Sequence, residues 1–181
     1  MKGFTLVETV IVIALTLMVA LALATLYGNF INLSADNNAI MSTASGARSV
    51  IAETENLVSP ADQVLAEHTF SDSTYASGTT TLVLELPSID STGASISGKY
   101  DYAVLYLTGS TTMRLLAPDA ASSRVAGTKE LSTAVNALSF AYDNVDFTKV
   151  REITVDVETL LMVQQEAITD EEHEQIYLRN H

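Results

Sequence analysis

The pattern of hydrophobic and polar positions divides the chain into two parts with different periods. From Thr9 to Ala35 there is no charged side chain, and Leu, Ile, Val, Ala and Met predominate. A helix needs about 20 apolar residues to cross the hydrocarbon core of a bilayer. The pattern therefore predicts a transmembrane helix over residues 4–35, with the single carboxylate of Glu8 at the edge of the apolar run.

From Asp36 the pattern is amphipathic. Apolar residues recur at helical spacings and define one face, formed by Ile40, Ala44, Ala47, Ile51 and Val58. Pro60 should end the helix, because the residue before a proline avoids the α region. We therefore expect the helix to continue over residues 36–59 and to pack its apolar stripe against a globular head.

Beyond Pro60 the period of the pattern becomes two, which is typical of β-strands. The predicted strands are residues 80–86, which Pro87 should end, residues 100–108 and 111–117, joined as a hairpin at Gly109, and residues 150–158. Alternation also marks Leu138, Phe140 and Tyr142. In the strand of residues 150–158, Ile153, Val155 and Val157 should share the buried face. Such alternation favours an antiparallel sheet with one solvated face.

Other segments are less regular. Residues 61–68 fit either one or two helical turns or a loop, residues 88–98 and 118–129 have loop composition, and residues 130–137 are ambiguous. The C-terminal segment has two interpretations. A closing strand that ends in residues 175–180 is favoured, although residues 164–174 have helix-forming composition. The expected fold class is α+β, in which one long N-terminal helix packs on an antiparallel β-rich head over residues 60–181.

Composition and charge exclude several classes of protein. The net charge is −13 among 181 residues, so the head should repel nucleic-acid phosphates, and no nucleic-acid partner is expected. The chain has no cysteine. A disulfide framework, a zinc–thiolate site, a thiol nucleophile and a lipid-modified cysteine anchor are therefore excluded.

The residues before the apolar run carry a specific motif. A short basic leader, Met1-Lys2-Gly3, is followed by Phe4 and, four residues later, by Glu8. The run Gly3-Phe4-Thr5-Leu6-Val7-Glu8 resembles the processing signal of type IV pilins and type II secretion pseudopilins. The resemblance implies a leader of residues 1–3, cleavage between Gly3 and Phe4 by a prepilin peptidase, methylation of the new Phe4 amine, and Glu8 as the assembly carboxylate.

The resemblance also implies a function and a location. The protein would be a structural subunit, a minor pilin or pseudopilin, of a type IV pilus, a type II secretion pseudopilus or a competence filament. Its partners would be other pilin or pseudopilin subunits, the prepilin peptidase and the inner-membrane assembly platform. It would begin as a single-pass protein of the cytoplasmic membrane with an extracytoplasmic head, and then enter a surface or periplasmic filament.

Pairing between subunits would explain why Glu8 lies at membrane depth. A charge there costs a few kcal/mol unless it finds a partner. In a filament, the Phe4 amine of one subunit could pair with Glu8 of its neighbour, and each charge would offset the desolvation of the other. Many pilins have a C-terminal disulfide, which this chain lacks. That departure favours a minor subunit over a major one.

Three alternatives to a filament subunit remain. The first is an ordinary secreted domain whose signal peptide is removed. Ala22-Leu23-Ala24 is a potential signal-peptidase site, but the apolar run continues past it. A single-pass, membrane-anchored binding module that does not polymerise is the main rival. An exported enzyme is the third alternative, and it is disfavoured because no nucleophile, base and orienting group occur together.

The sequence contains one candidate ligand site, a calcium site in its acidic segments. No catalytic or cofactor-binding motif is present, and His68, His173 and His181 have unrelated spacings, so neither enzyme activity nor a cofactor is expected. Calcium needs six to eight oxygen ligands, which acidic segments can supply. Residues 143–146 and 170–174 are acidic, but neither forms an EF-hand, and solvated turns are the favoured interpretation.

Overall fold

A computed structural model describes residues 5–179 and has the predicted α+β architecture. Its helix, α1, is Leu6–Val58. The strands are β1 (Gln63–Val64), β2 (Glu67–Phe70), β3 (Ser73–Ala76), β4 (Thr81–Ile89), β5 (Ser95–Thr108), β6 (Thr111–Ala117), β7 (Gly127–Ser132), β8 (Val135–Tyr142), β9 (Glu152–Val163) and β10 (Glu166–Tyr177). A 3₁₀ turn covers Phe147–Lys149. The chain divides into two compact units, Met1–Ala39 and Ile40–His181.

The strands of the second unit form three antiparallel sheets. The largest has the order β1-β4-β5-β6-β7, the second has the order β10-β9-β8, and β2 and β3 form a separate hairpin. The predicted β5–β6 hairpin is confirmed, with Thr108 opposite Thr111. Gly109 in its turn has a φ of 61°, a left-handed conformation that glycine adopts without steric cost.

The face of the helix that packs on the sheets overlaps the predicted stripe but is shifted from it. Ala47 and Val58 are buried as expected, but Ile40 is 52% exposed and Ile51 is only partly buried. The buried stripe instead includes two threonines, Thr43 and Thr54. Their hydroxyls donate to the carbonyls of Ile40 and Val50 at 3.0 and 2.7 Å. Because these bonds satisfy the hydroxyls, threonine can occupy the core, and hydrophobicity alone misplaced the buried face.

The prediction that Pro87 ends its strand is wrong, because β4 continues to Ile89. On one side β4 pairs with β1, and that pairing stops at Glu85. Near Pro87 the remaining strand neighbour is β5, where Pro87 lies opposite Tyr100 just before an irregularity in the register. A proline lacks the N–H needed for a second ladder, so this one-sided position tolerates it.

Segments for which the sequence predicts a loop, or leaves helical turns and a loop as alternatives, contain strands. Residues 61–68 contain β1 and the start of β2 rather than helical turns, β5 begins inside the loop predicted for residues 88–98, and β7 begins inside the one predicted for residues 118–129. The true turn before β5 is short. Asp90 closes it by accepting hydrogen bonds from the backbone N–H groups of Thr92 and Ala94.

The strand predicted over residues 150–158 and the favoured C-terminal closing strand are both confirmed. Ile153, Val155 and Val157 of β9 are buried, and β10 pairs with β9 along its whole length. The turn between them has positive φ angles, 50° at Gln164 and 72° at Gln165. Residues 164–174 therefore form a strand despite their helix-forming composition, because they pair with β9, which has one buried face.

Candidate functional site

The N-terminal part of α1 presents an apolar surface to its surroundings. Leu15, Met18, Leu21 and Phe30 are each at least 57% exposed, and the most apolar stretch of the helix buries nothing within the structure. A helix of this length and composition is able to cross a membrane. An apolar surface of this size on a soluble domain would mark a membrane or protein contact.

The hydroxyl groups within this surface are satisfied inside the helix itself. Thr9, Thr16 and Thr25 donate to backbone carbonyls three or four residues earlier, at 3.2, 2.7 and 2.9 Å. A polar group without a partner is expensive in hydrocarbon. These bonds let three threonines lie in an apolar environment without that cost.

Glu8, the predicted assembly carboxylate, lies in the first turn of α1 and is bonded to Thr5. The Thr5 backbone N–H and hydroxyl both donate to Glu8 Oε2, at 2.9 and 3.0 Å, and the Glu8 N–H donates to the Thr5 hydroxyl at 3.3 Å. This reciprocal arrangement is a capping box. The Thr5-x-x-Glu8 spacing is the sequence signal from which this capping box could have been predicted.

The two processing residues lie outside the part of the chain that the structure describes. Gly3 and Phe4 precede residue 5, where the description begins. What the structure does place is the capped start of α1 immediately after them.

The first acidic segment considered for calcium binds its own loop instead. Asp146 accepts from the Thr148 hydroxyl at 2.7 Å and pairs with Lys149 at 2.8 Å, and these bonds lower the pKa of Asp146. Asp143 accepts the Arg151 N–H at 3.0 Å. The Asn144 side chain accepts from the Asp146 N–H, also within this loop. Thus the oxygens of residues 143–146 cap a 3₁₀ turn and a strand start.

The second acidic segment, residues 170–174, lies within β10 rather than in a turn. Successive side chains of a strand point to opposite faces, so its carboxylates are spread over both sides of the sheet. Among residues 5–179, no group of three or more His, Cys, Asp or Glu side chains is placed to hold a metal ion.

The two histidines that the structure describes have structural partners. His68 stacks on Tyr102 with ring centroids 3.8 Å apart, and burial lowers its pKa, an effect that the charge of Glu85 partly offsets. His173 Nδ1 bonds to Asp156, which also accepts from the Ser139 hydroxyl at 3.1 Å. Asp156 thus lies between serine and histidine, an order that does not join a nucleophile to a base.

Comparisons with protein-family models, with curated proteins and with solved structures found no match to this chain. The features that bear on function are therefore those of the chain itself. They are the exposed apolar helix, the capped Glu8 at its start, and an antiparallel head whose acidic segments are engaged in local bonds or spread along a strand.

Proposed function

We propose that the protein is a pilin-like structural subunit, a minor pilin or pseudopilin, of a type IV pilus, a type II secretion pseudopilus or a competence filament. The observation that carries the proposal is the exposed apolar N-terminal part of α1, with a single carboxylate in its first turn. In an ordinary membrane anchor the carboxylate would only cap the first turn, and its desolvation would weaken insertion. Polymerisation gives the carboxylate a second role.

The proposed assembly step pairs Glu8 with the methylated Phe4 amine of a neighbouring subunit. Within one chain, both bonds from Thr5 reach Glu8 Oε2, so Oε1 is the oxygen offered to that amine. The capping box orients the carboxylate before the neighbour arrives, which reduces the entropy lost on pairing. An ion pair that fits at one axial stagger would also fix the register between subunits.

Movement from membrane to filament fits the helix surface. In lipid and in a bundle of like helices, the apolar side chains have similar surroundings, so the transfer costs little. The internally bonded hydroxyls of Thr9, Thr16 and Thr25 suit both environments. The proposed location is the cytoplasmic membrane, as a single-pass protein with an extracytoplasmic head, followed by a surface or periplasmic filament. Prepilin peptidase and the assembly platform are the proposed partners.

The test combines the N-terminus with a matched pair of variants. In cells that make the filament, the recovered chain should begin at N-methylated Phe4. Glu8→Ala should be cleaved and inserted normally but be absent from sheared filaments. Glu55→Ala, which removes an exposed carboxylate from the second unit, should assemble like the wild type.

Other results would contradict the proposal in distinct ways. A chain that begins at Met1 and remains in the membrane would indicate the anchored, non-polymerising module. A chain that begins at Thr25 would indicate an ordinary secreted domain. Normal incorporation of Glu8→Ala would remove the assembly role of the carboxylate even if processing occurs after Gly3.

A further inference from the structure

The outer edge of β10 is the longest regular strand edge in the second unit. β10 has 12 residues and pairs with β9 without a register shift. The other edge strands of the two larger sheets are shorter or irregular. β1 has 2 residues, and the pairings of β7 and β8 each contain a bulge or irregularity. Short length, bulges and charged side chains are the usual protections against unwanted strand pairing, and of these β10 has only the charges.

The hydrogen-bond pattern identifies which backbone groups of β10 face outward. The Leu178 N–H donates to the Arg151 carbonyl at 2.9 Å, in register with the β9–β10 ladder. In an antiparallel pair, alternate residues bond to the partner and the residues between them point away. The odd-numbered residues from 167 to 177 therefore direct their N–H and C=O groups away from β9. No strand within residues 5–179 pairs with that side.

Charge decides which kind of strand this edge accepts. β10 carries five carboxylates, those of Glu166, Asp170, Glu171, Glu172 and Glu174. Arg48 pairs with Glu172 at 3.2 Å, and one buried oxygen of Asp170 has no hydrogen-bond partner. Like charges directly opposite each other destabilise a strand pair, so two copies of β10 repel one another. A strand with alternating Lys or Arg side chains would instead meet a carboxylate on either face.

We propose that the outer edge of β10 is a docking site for an extended basic segment of another protein, which adds a fourth strand to the β10-β9-β8 sheet. Backbone bonds along the edge supply affinity, and the carboxylates select basic partners and reject acidic ones. The site lies in the second unit and does not depend on polymerisation through Glu8, so it holds or fails independently of the filament role.

The test uses the full chain in phosphatidylcholine nanodiscs, a zwitterionic bilayer that a basic peptide does not bind by charge. The probe is a labelled peptide of alternating Lys and Val, about twelve residues long, because a partner strand rises about 3.3 Å per residue as β10 does and must match its 12 residues to span it. Fluorescence anisotropy should show saturable binding that weakens with salt. A peptide of alternating Glu and Val should not bind. Hydrogen exchange should slow at the odd-numbered amides from 167 to 177.

Two variants separate strand addition from simple charge attraction. Thr169→Pro removes one outward N–H and blocks a partner strand without changing charge or any bond to β9, and it should weaken binding about tenfold or more. Thr169→Ala is its matched control and should bind like the wild type. Glu171→Gln with Glu174→Gln should also weaken binding, whereas Glu67→Gln, on the separate β2–β3 hairpin, should not.

The contrary results are equally specific. Binding that survives Thr169→Pro, or no added protection of the outward amides, would mean that the peptide is held by charge alone and that the edge is not the site. Self-association of the chain that Thr169→Pro abolishes would make a second copy the occupant and would overturn the proposal. Circular dichroism of each variant verifies that the head is folded.

Discussion

Replacing Asp101 by asparagine is expected to destabilise the head more than any other single isosteric change. The Asp101 side chain lies in β5 and is fully buried. It accepts hydrogen bonds from the hydroxyls of Ser88 and Ser122 at 2.6 and 2.7 Å, from the Asp119 N–H at 2.9 Å and from the Arg124 guanidinium at 2.6 Å. One carboxylate therefore joins β4 and β5 to the loop before β7.

The expected loss in free energy of unfolding follows from the hydrogen bonds that asparagine can make at position 101. All four partners of Asp101 are donors, and asparagine would present one acceptor oxygen and an amide that donates. The Arg124 guanidinium, whose side chain is 17% exposed, would lose its charge partner. Removing one member of a buried charge pair costs about 3–5 kcal/mol, so we expect Asp101→Asn to lower the free energy of unfolding by about 3 kcal/mol.

The dependence on pH has a definite sign. Burial by itself would raise the pKa of Asp101, but the bonds from Ser88, Ser122, Arg124 and Asp119 outweigh it and hold the pKa below its ordinary value. A depressed native pKa stabilises the fold above the unfolded value, about 3.9, and that contribution disappears as the pH falls through the native pKa. Asp101→Asn should therefore flatten the stability profile on the acid side.

The assay is urea unfolding of the full chain in nanodiscs, followed by the near-ultraviolet circular dichroism of the head tyrosines at pH 7 and across the acid range. Asp119→Asn is the matched control, because Asp119 lies in the loop before β7, pairs with the half-exposed Lys99, and accepts the Ala121 N–H through an oxygen that asparagine can keep, so it should cost less than about 1 kcal/mol. A loss for Asp101→Asn of less than about 1 kcal/mol would refute the assignment of a buried charge network, since that is the size of one ordinary hydrogen bond.

Two further changes probe other parts of the head. Tyr142 donates to the carbonyls of Gly78 and Thr81 at 3.0 and 3.2 Å, so Tyr142→Phe should cost about 1 kcal/mol in urea unfolding. Burial raises the pKa of Tyr142 to about 12, so it should ionise last in an alkaline absorbance titration, and its contribution to stability should fall as the pH rises above the unfolded value, about 10. A Cβ at Gly46 would lie 2.6 Å from Ser132 Oγ, so Gly46→Val should cost about 1–3 kcal/mol, and Gly46→Val with Ser132→Gly should recover part of it. An unchanged unfolding midpoint for Gly46→Val would contradict this close approach.

Wherever neighbouring residues all favoured one structure, the sequence was sufficient. The uncharged run from Thr9 to Ala35 is long and apolar enough that a helix is its outcome despite Gly28 and Asn29, and Pro60 ends that helix through its own local geometry. The alternation at Ile153, Val155 and Val157 likewise predicted the buried face of β9 correctly. Glu8 was identified through a motif, although its bonds to Thr5 were not anticipated.

Wherever the outcome depended on a distant partner, only the tertiary structure decided it. Thr43 and Thr54 are buried because the sheets cover their face of the helix, where the Thr159 hydroxyl of β9 donates to the Thr43 carbonyl at 3.1 Å. Bonds within the helix satisfy their own hydroxyls, which a scale of hydrophobicity cannot register. Pro87 remains in β4 because the neighbouring strand β1 stops before it, and residues 164–174 form a strand because β9 offers a full ladder. Nothing in the sequence near Asp101 indicates that it is buried, because its partners Ser88, Ser122 and Arg124 come together only in the folded head. Local propensity is a matter of fractions of a kcal/mol per residue, whereas losing a full ladder or leaving a buried charge without its partner costs several kcal/mol, so the long-range term prevails where the two conflict.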